Sequence, residues 1–245
     1  MIKLELCIFD LDDTLIYTDP LYAQSRHDFA HLMHKKGFDY EEAFFIVEDT
    51  AQHLKSEKGF GKNTHPDSFV IAYKSLCEKY DRVIDDETSE IVWHIAAEVY
   101  NKFSPPYEYT HRILKDLMES NVFTMCVSTR GDKTVQLRRI LDAQLAGYFD
   151  TIFVVEQKTP DHFRSICRYF NIDPTEAVMI GNHLVGDVLP ALEAGLFGIF
   201  IPNGTSNIEK VLQSPPSEER FMHKLYEGKD LRSVWSLLER IKING

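Results

Sequence analysis

Five short apolar runs, at residues 4–9, 122–127, 151–155, 177–180 and 197–201, stand out along the chain. None of them alternates apolar with polar positions, so each suits a strand buried on both faces, as in a parallel sheet. From residue 127 onward the runs are separated by stretches whose apolar residues recur at helical spacing. The order there reads strand, helix, strand, helix, strand, helix, strand, which predicts an open α/β sheet with right-handed crossovers.

Between the first and second runs this rhythm breaks. Segments 23–36, 40–55, 68–79 and 87–102 each place apolar residues three or four apart with polar residues between them, the pattern of amphipathic helices. Pro105 and Pro106 close the stretch, because a proline and the residue before it disfavour continued helix. The chain is therefore expected to comprise an α/β domain over 1–16 and 106–245, interrupted by an all-helical insertion over 17–105. After the last apolar run, 203–220 is rich in Ser, Pro, Asn and Glu, with Pro215 and Pro216 marking a loop. Leu231, Val234, Trp235, Leu237, Leu238 and Ile241 then predict a closing helix over 230–241. No internal repeat is visible.

Composition narrows the function. The 245 residues carry 27 Lys and Arg against 38 Asp and Glu, a formal net charge of -11, which disfavours non-specific binding to the nucleic-acid backbone. No apolar stretch is long enough for a membrane span or a signal sequence, and the expected location is cytoplasmic. Cys7, Cys77, Cys126 and Cys167 are widely spaced and form no CxxC pair, so buried, reduced thiols are expected.

Chemistry gathers where the apolar runs stop. The first leads into Asp10-Leu11-Asp12-Asp13-Thr14, three carboxylates that are costly beside a buried strand unless a cation pairs with them. In open α/β sheets this carboxyl edge is also where ligands collect. The second run leads through Ser128-Thr129-Arg130-Gly131 into a helix beginning at Asp132 or Lys133, a hydroxyl followed by helix-start amides that could cradle an anion. After the third, Thr159 and Pro160 start a helix and leave Lys158 at the sheet edge, where it can neutralise a carboxylate or a phosphate. The fourth leads through Gly181, read as permitting a tight turn, and Asn182 to Asp187, hard oxygen donors that suit Mg²⁺.

These four segments, in this order, resemble the four motifs of the haloacid dehalogenase superfamily of phosphohydrolases. The likeness extends over the whole chain, the insertion looking like that family's C1-type cap and the remainder like its Rossmann-like three-layer α/β/α core. One departure is Gly181-Asn182, where the family commonly carries Gly-Asp; several branches use Gly-Asn, which keeps the metal site with one fewer charge. The resemblance implies that Asp10 is the nucleophile forming an aspartyl-phosphate and that Asp12 is the general acid and base. It implies Mg²⁺ held by Asp10, the Asp12 backbone carbonyl, Asp187 and Asn182, with Thr129 and Lys158 on the phosphoryl oxygens and the cap closing over the site. Arg130 and His183, beside motif residues, are candidates for substrate selectivity.

Asp12 favours phosphatase over dehalogenase chemistry, since displacing halide needs no proton donor. A phosphonatase would need a buried cap lysine, and Lys35, Lys36, Lys55, Lys58 and Lys62 are the available ones. The expected function is a Mg²⁺-dependent phosphatase of a small phosphorylated metabolite. A phosphomutase uses the same groups, and a catalytically idle binding protein is the alternative from another class. Two lesser features are His27, His31 and His34 on one helix face, read as surface or cap-packing residues rather than zinc ligands, and the loop Gly59-Phe60-Gly61-Lys62-Asn63.

Overall fold

The computed structural model describes residues 3–202 and 223–244. Six parallel strands, β1 (Leu6–Phe9), β2 (Thr124–Arg130), β3 (Thr151–Val155), β4 (Ala177–Gly181), β5 (Phe197–Phe200) and β6 (Leu225–Glu227), form one sheet in the order β3-β2-β1-β4-β5-β6. Strand order reverses beside β1, so the gap between β1 and β4 is the topological switch point at which such sheets bind ligands. Phe9 stands opposite Val127 on one side and Ile180 on the other, which brings the ends of these three strands to one edge.

The apolar runs lack alternation because both faces of the sheet are covered. Cys7 and Phe9 of β1, with Val178 and Ile180 of β4, join the core beneath α5 (Thr110–Glu119) and the closing helix α9 (Val234–Asn244). Leu6 and Ile8, with Ala177 and Met179, face α7 (Pro160–Phe170) and α8 (Leu189–Ala194). A further helix, α6 (Lys133–Asp142), follows β2. This is the expected three-layer α/β/α arrangement.

Several boundaries differ from the sequence pattern. β2 begins at Thr124 rather than 122, with Val122 left exposed, and runs through the buried polar residues Ser128 and Thr129. A polar end to a strand is tolerated where its hydroxyls find partners, and hydropathy alone stops short of it. The short strand β6 and helix α5 are additional elements. The loop predicted over 203–220 lies outside the described residues.

The chain divides into two compact units, one running to Tyr17 and comprising also Pro105–Arg130 and the chain from Arg138, the other comprising Thr18–Ser104 with Gly131–Leu137. The second unit contains α1 (Asp19–Lys35), α2 (Tyr40–Lys58), α3 (Thr64–Lys79) and α4 (Asp86–Ala97). α1 starts four residues earlier than the apolar spacing suggests, since Pro20 fits a first turn; α3 likewise takes Pro66 into its first turn. Asp39 and Asp85 cap α2 and α4 by accepting from the amides of Glu42 and Thr88. Phe29, Met33, Val47, Phe69, Leu76 and Val92 make a core of its own.

His27 hydrogen-bonds the Tyr40 hydroxyl at 2.6 Å and stacks on Phe44, and His31 packs on Tyr40. These histidines thus serve helix packing. Lys35, Lys36, Lys55, Lys58 and Lys62 are all exposed, with Lys55 over the ring of Phe60 in the loop that joins α2 to α3. All four cysteines are buried free thiols. Among the described residues no helix is long and apolar enough to cross a membrane.

Candidate active site

Asp10 follows β1 directly, and its amide still donates to Ile180 of β4. The chain then turns sharply: the amides of Leu15 and Ile16 donate to the Leu11 carbonyl, and Asp13 adopts φ 59°, a left-handed conformation that Asp tolerates better than most residues. This turn buries Leu11, Leu15 and Ile16 and swings Thr14 back towards the strand ends. The Thr14 hydroxyl lies 2.9 Å from Asp10 Oδ2 and 3.1 Å from Asn182 Oδ1, and accepts from the Asn182 amide. Its single proton serves one of those two acceptors at a time.

Lys158 reaches the same point from the β3 to α7 connection. Thr159 caps α7 by accepting from the His162 amide, with Pro160 in the first turn. The lysine side chain is fully buried; its Nζ donates to Asp10 Oδ1 and, at 2.7 Å, to Asp187 Oδ1. Asp187 sits in a π-turn, Leu184–Val188, of the kind that interrupts helices at functional sites. Its other oxygen accepts from the His183 amide at 3.1 Å. Gly181 is needed for close approach rather than for a turn: a Cβ there would lie 2.9 Å from the Asp187 Cβ and Oδ2.

Two buried carboxylates therefore share one ammonium. Burial, reinforced by the charge of Asp187, pushes the Asp10 carboxyl up to about 7 in spite of Lys158. For Lys158 burial works against the charge, but the two carboxylates outweigh it and hold its pKa above the usual lysine value. The cluster is one positive charge short.

Asp12 has a cation of its own. Its side chain is 28% exposed, and Oδ1 accepts from Arg139 Nη1 at 3.0 Å, the arginine being 4% exposed on α6. Thr129 is buried at the end of β2 beside Val154 of β3. The start of α6 is capped by Asp132, whose Oδ1 accepts from the amides of Thr134 and Val135. Arg130 and His183 converge on Gly186: a Cβ there would lie 2.8 Å from Arg130 Nη2 and 3.0 Å from His183 Nδ1, which already accepts from the Gly186 amide. Behind Lys158, Ser128 Oγ meets His162 Nε2 at 2.8 Å, and burial, with the lysine charge, takes His162 down to about 4.

A profile of haloacid dehalogenase-like hydrolases matches residues 4–195. The chain belongs to that family. Among named relatives of this haloacid dehalogenase-like hydrolase, the glyceraldehyde 3-phosphate phosphatase of Pyrococcus furiosus is 24% identical over 214 residues, 83% of each chain. The N-acylneuraminate-9-phosphatase of Mus musculus is 25% identical over 205 residues, covering 79% of this chain and 80% of that one. In fold it is similar to a haloacid dehalogenase-like hydrolase from Xanthomonas campestris, with TM-score 0.79 at 19% identity over 99% and 93% of the two chains. The magnesium-bound HAD-hydrolase YfnB of Bacillus subtilis superposes with TM-score 0.68 at 18% identity over 97% and 99%.

The hydrolase thus gathers Asp10, Lys158, Asp187 and, through Thr14, Asn182 at one point. Asp12 is drawn to Arg139, and Arg130 to the Gly186 turn. Thr14 and Arg139 touch predicted site residues, and His162 touches the neighbouring Ser128, although the motifs leave all three unassigned. For Arg139 a signal existed: Val135, Gln136, Arg139 and Ile140 form the buried stripe of α6, and a charge on such a stripe demands a partner.

Proposed function

We propose that this hydrolase is a Mg²⁺-dependent phosphatase acting on a small phosphorylated metabolite through an aspartyl-phosphate on Asp10. The observation that carries the proposal is the buried Asp10, Lys158 and Asp187 cluster at the switch point, with its charge deficit. The relatives named for glyceraldehyde 3-phosphate and N-acylneuraminate 9-phosphate support a phosphate ester of that size.

The donors fit Mg²⁺. Among the described residues no three His, Cys, Asp or Glu side chains converge as a metal group, and Mg²⁺ is content with one or two carboxylates, neutral oxygens and water. Asp10, Asp187, Asn182 and the Asp12 carbonyl would hold it, and its charge would screen a phosphate dianion from Asp10.

The chain's own groups divide the remaining work. Asp10 attacks phosphorus as the bond to the leaving oxygen breaks, and Asp12 passes its proton to that oxygen. Water then loses a proton to the Asp12 carboxylate while its oxygen bonds phosphorus, and phosphate leaves Asp10. Lys158, Thr129 and Arg130 donate to the phosphoryl oxygens, and Lys158 also favours the ionised nucleophile.

The decisive experiment is hydrolysis of p-nitrophenyl phosphate with Asp10→Asn and with a chelator. Loss of at least about 1,000-fold is expected in each case, with free phosphate and no isomer as product when a sugar phosphate is supplied. Activity retained by Asp10→Asn overturns the proposal.

A further inference from the structure

We infer that Arg139 is the positioning residue of the proton-transfer group, fixing the Asp12 carboxylate so that it can serve leaving group and water in turn. This rests on reading Asp12 as the general acid and base. The ion pair spans 3.0 Å between α6 and the turn after β1. Asp12 bridges to Ile16, the next residue, Asp13, adopts a left-handed conformation at φ 59°, and Arg139 is 4% exposed among the buried residues of its helix.

A buried arginine is a poor stability device. Its desolvation offsets most of what the pair contributes, and an apolar residue of similar volume would pack there at no such cost. A guanidinium does supply direction, since its planar N–H groups hold a carboxylate in one orientation. It also stays protonated throughout the working pH range, so it holds Asp12 without competing as a proton donor. Lys158 pairs with Asp10 and Asp187, whereas the Asp12 carboxylate takes its ion pair from Arg139.

The inference predicts a kinetic signature distinct from loss of structure. Phenyl phosphate needs a proton on its leaving oxygen, whereas p-nitrophenolate leaves without one, and water attack on the intermediate needs Asp12 with either ester. Arg139→Met is expected to lower kcat for phenyl phosphate about 100-fold with KM within about threefold, the lower part of the usual range for a general acid or base. With p-nitrophenyl phosphate it should release one equivalent of p-nitrophenolate per active site in a burst, followed by slow turnover. Arg139→Lys, which keeps the charge, should recover at least about tenfold of the loss.

The decisive arm is a double-mutant cycle, because a residue acting only through Asp12 has nothing left to do once Asp12 is gone. Asp12→Asn and Asp12→Asn/Arg139→Met should turn over at the same rate. Equal fractional loss in both backgrounds, loss without a burst, or wild-type kcat in Arg139→Met overturns the inference. Should Arg139→Met not fold, Arg139→Gln carries the same cycle. Failure of the underlying reading looks different, since Asp12→Asn alone would then keep wild-type kcat on phenyl phosphate.

Discussion

Asp10→Asn should stabilise the metal-free protein while abolishing its activity. The wild-type carboxyl is pushed from 3.8 to about 7 by burial and by Asp187, with Lys158 unable to compensate. Because the folded pKa lies above the unfolded one, the folded chain holds the proton more tightly. Stability is therefore lost as pH rises from 3.8 to about 7 and is constant above that window. A displacement of about three pH units corresponds to about 4 kcal/mol at pH 8. Asparagine removes the ionisation yet keeps an oxygen for Lys158, which stays paired with Asp187, while its amide group can donate to the Thr14 hydroxyl, whose proton then serves Asn182 Oδ1. Urea denaturation in chelator should place Asp10→Asn about 2 to 4 kcal/mol above wild type at pH 8, and the gap should close below pH 4. Added Mg²⁺ should stabilise wild type more than the variant, narrowing the gap, since a ligand of the folded state adds its binding free energy. A variant no more stable than wild type at pH 8 refutes the idea that the site carries uncompensated negative charge.

Three further outcomes follow from the packing. Gly181→Ala puts a Cβ 2.9 Å from the Asp187 side chain, and displacing that carboxylate should raise the Mg²⁺ concentration for half-maximal activity at least about tenfold, with an overpacking loss of about 1 to 3 kcal/mol in denaturation. Phe69→Ala empties the centre of the helical unit, where the ring meets Phe29 edge-on at 5.3 Å, and should destabilise by about 3 to 5 kcal/mol in urea titration. His65 packs among Tyr22 and Phe69 beside the Ser25 hydroxyl, and burial takes its pKa from 6.5 down to about 3. The unfolded chain takes that proton first, so stability should fall by up to about 1.4 kcal/mol per unit as pH drops through this window, and His65→Phe should flatten the slope in acid denaturation.

The strands were legible because both faces of the sheet are buried, so Leu6 and Ile8 on one side and Cys7 and Phe9 on the other leave no polar position in the run. The same rule hid the end of β2, where Ser128 and Thr129 are buried as polar groups, one of them bonded to His162. β6 is three residues long and only partly buried, too short to show a period. Asp10, Lys158 and Asp187 could be named in advance because each lies where an apolar run ends or a helix begins. Arg139 was marked only by its place on the buried stripe of α6, which does not point to Asp12, 127 residues away, and nothing in the pattern marked His162, which folding brings to Ser128.

That distinction bears on how an acidic protein comes to handle an anion. The formal charge of -11 says nothing of the site; its ion pairs set Asp10 and Asp187 against Lys158, and Asp12 against Arg139. One cation comes from a loop at the sheet edge and one from a helix stripe, and each is matched to a different carboxylate. With all five groups ionised a single negative charge is left over, located at the buried pair rather than at Asp12. A divalent cation bound there would turn the cluster positive just where a phosphate must approach a carboxylate, while Asp12 keeps its own counter-charge. Separating the two pairs lets Asp10 and Asp12, the proposed nucleophile and proton-transfer group, sit two residues apart without sharing one electrostatic environment, which is how two like side chains can be given unlike tasks.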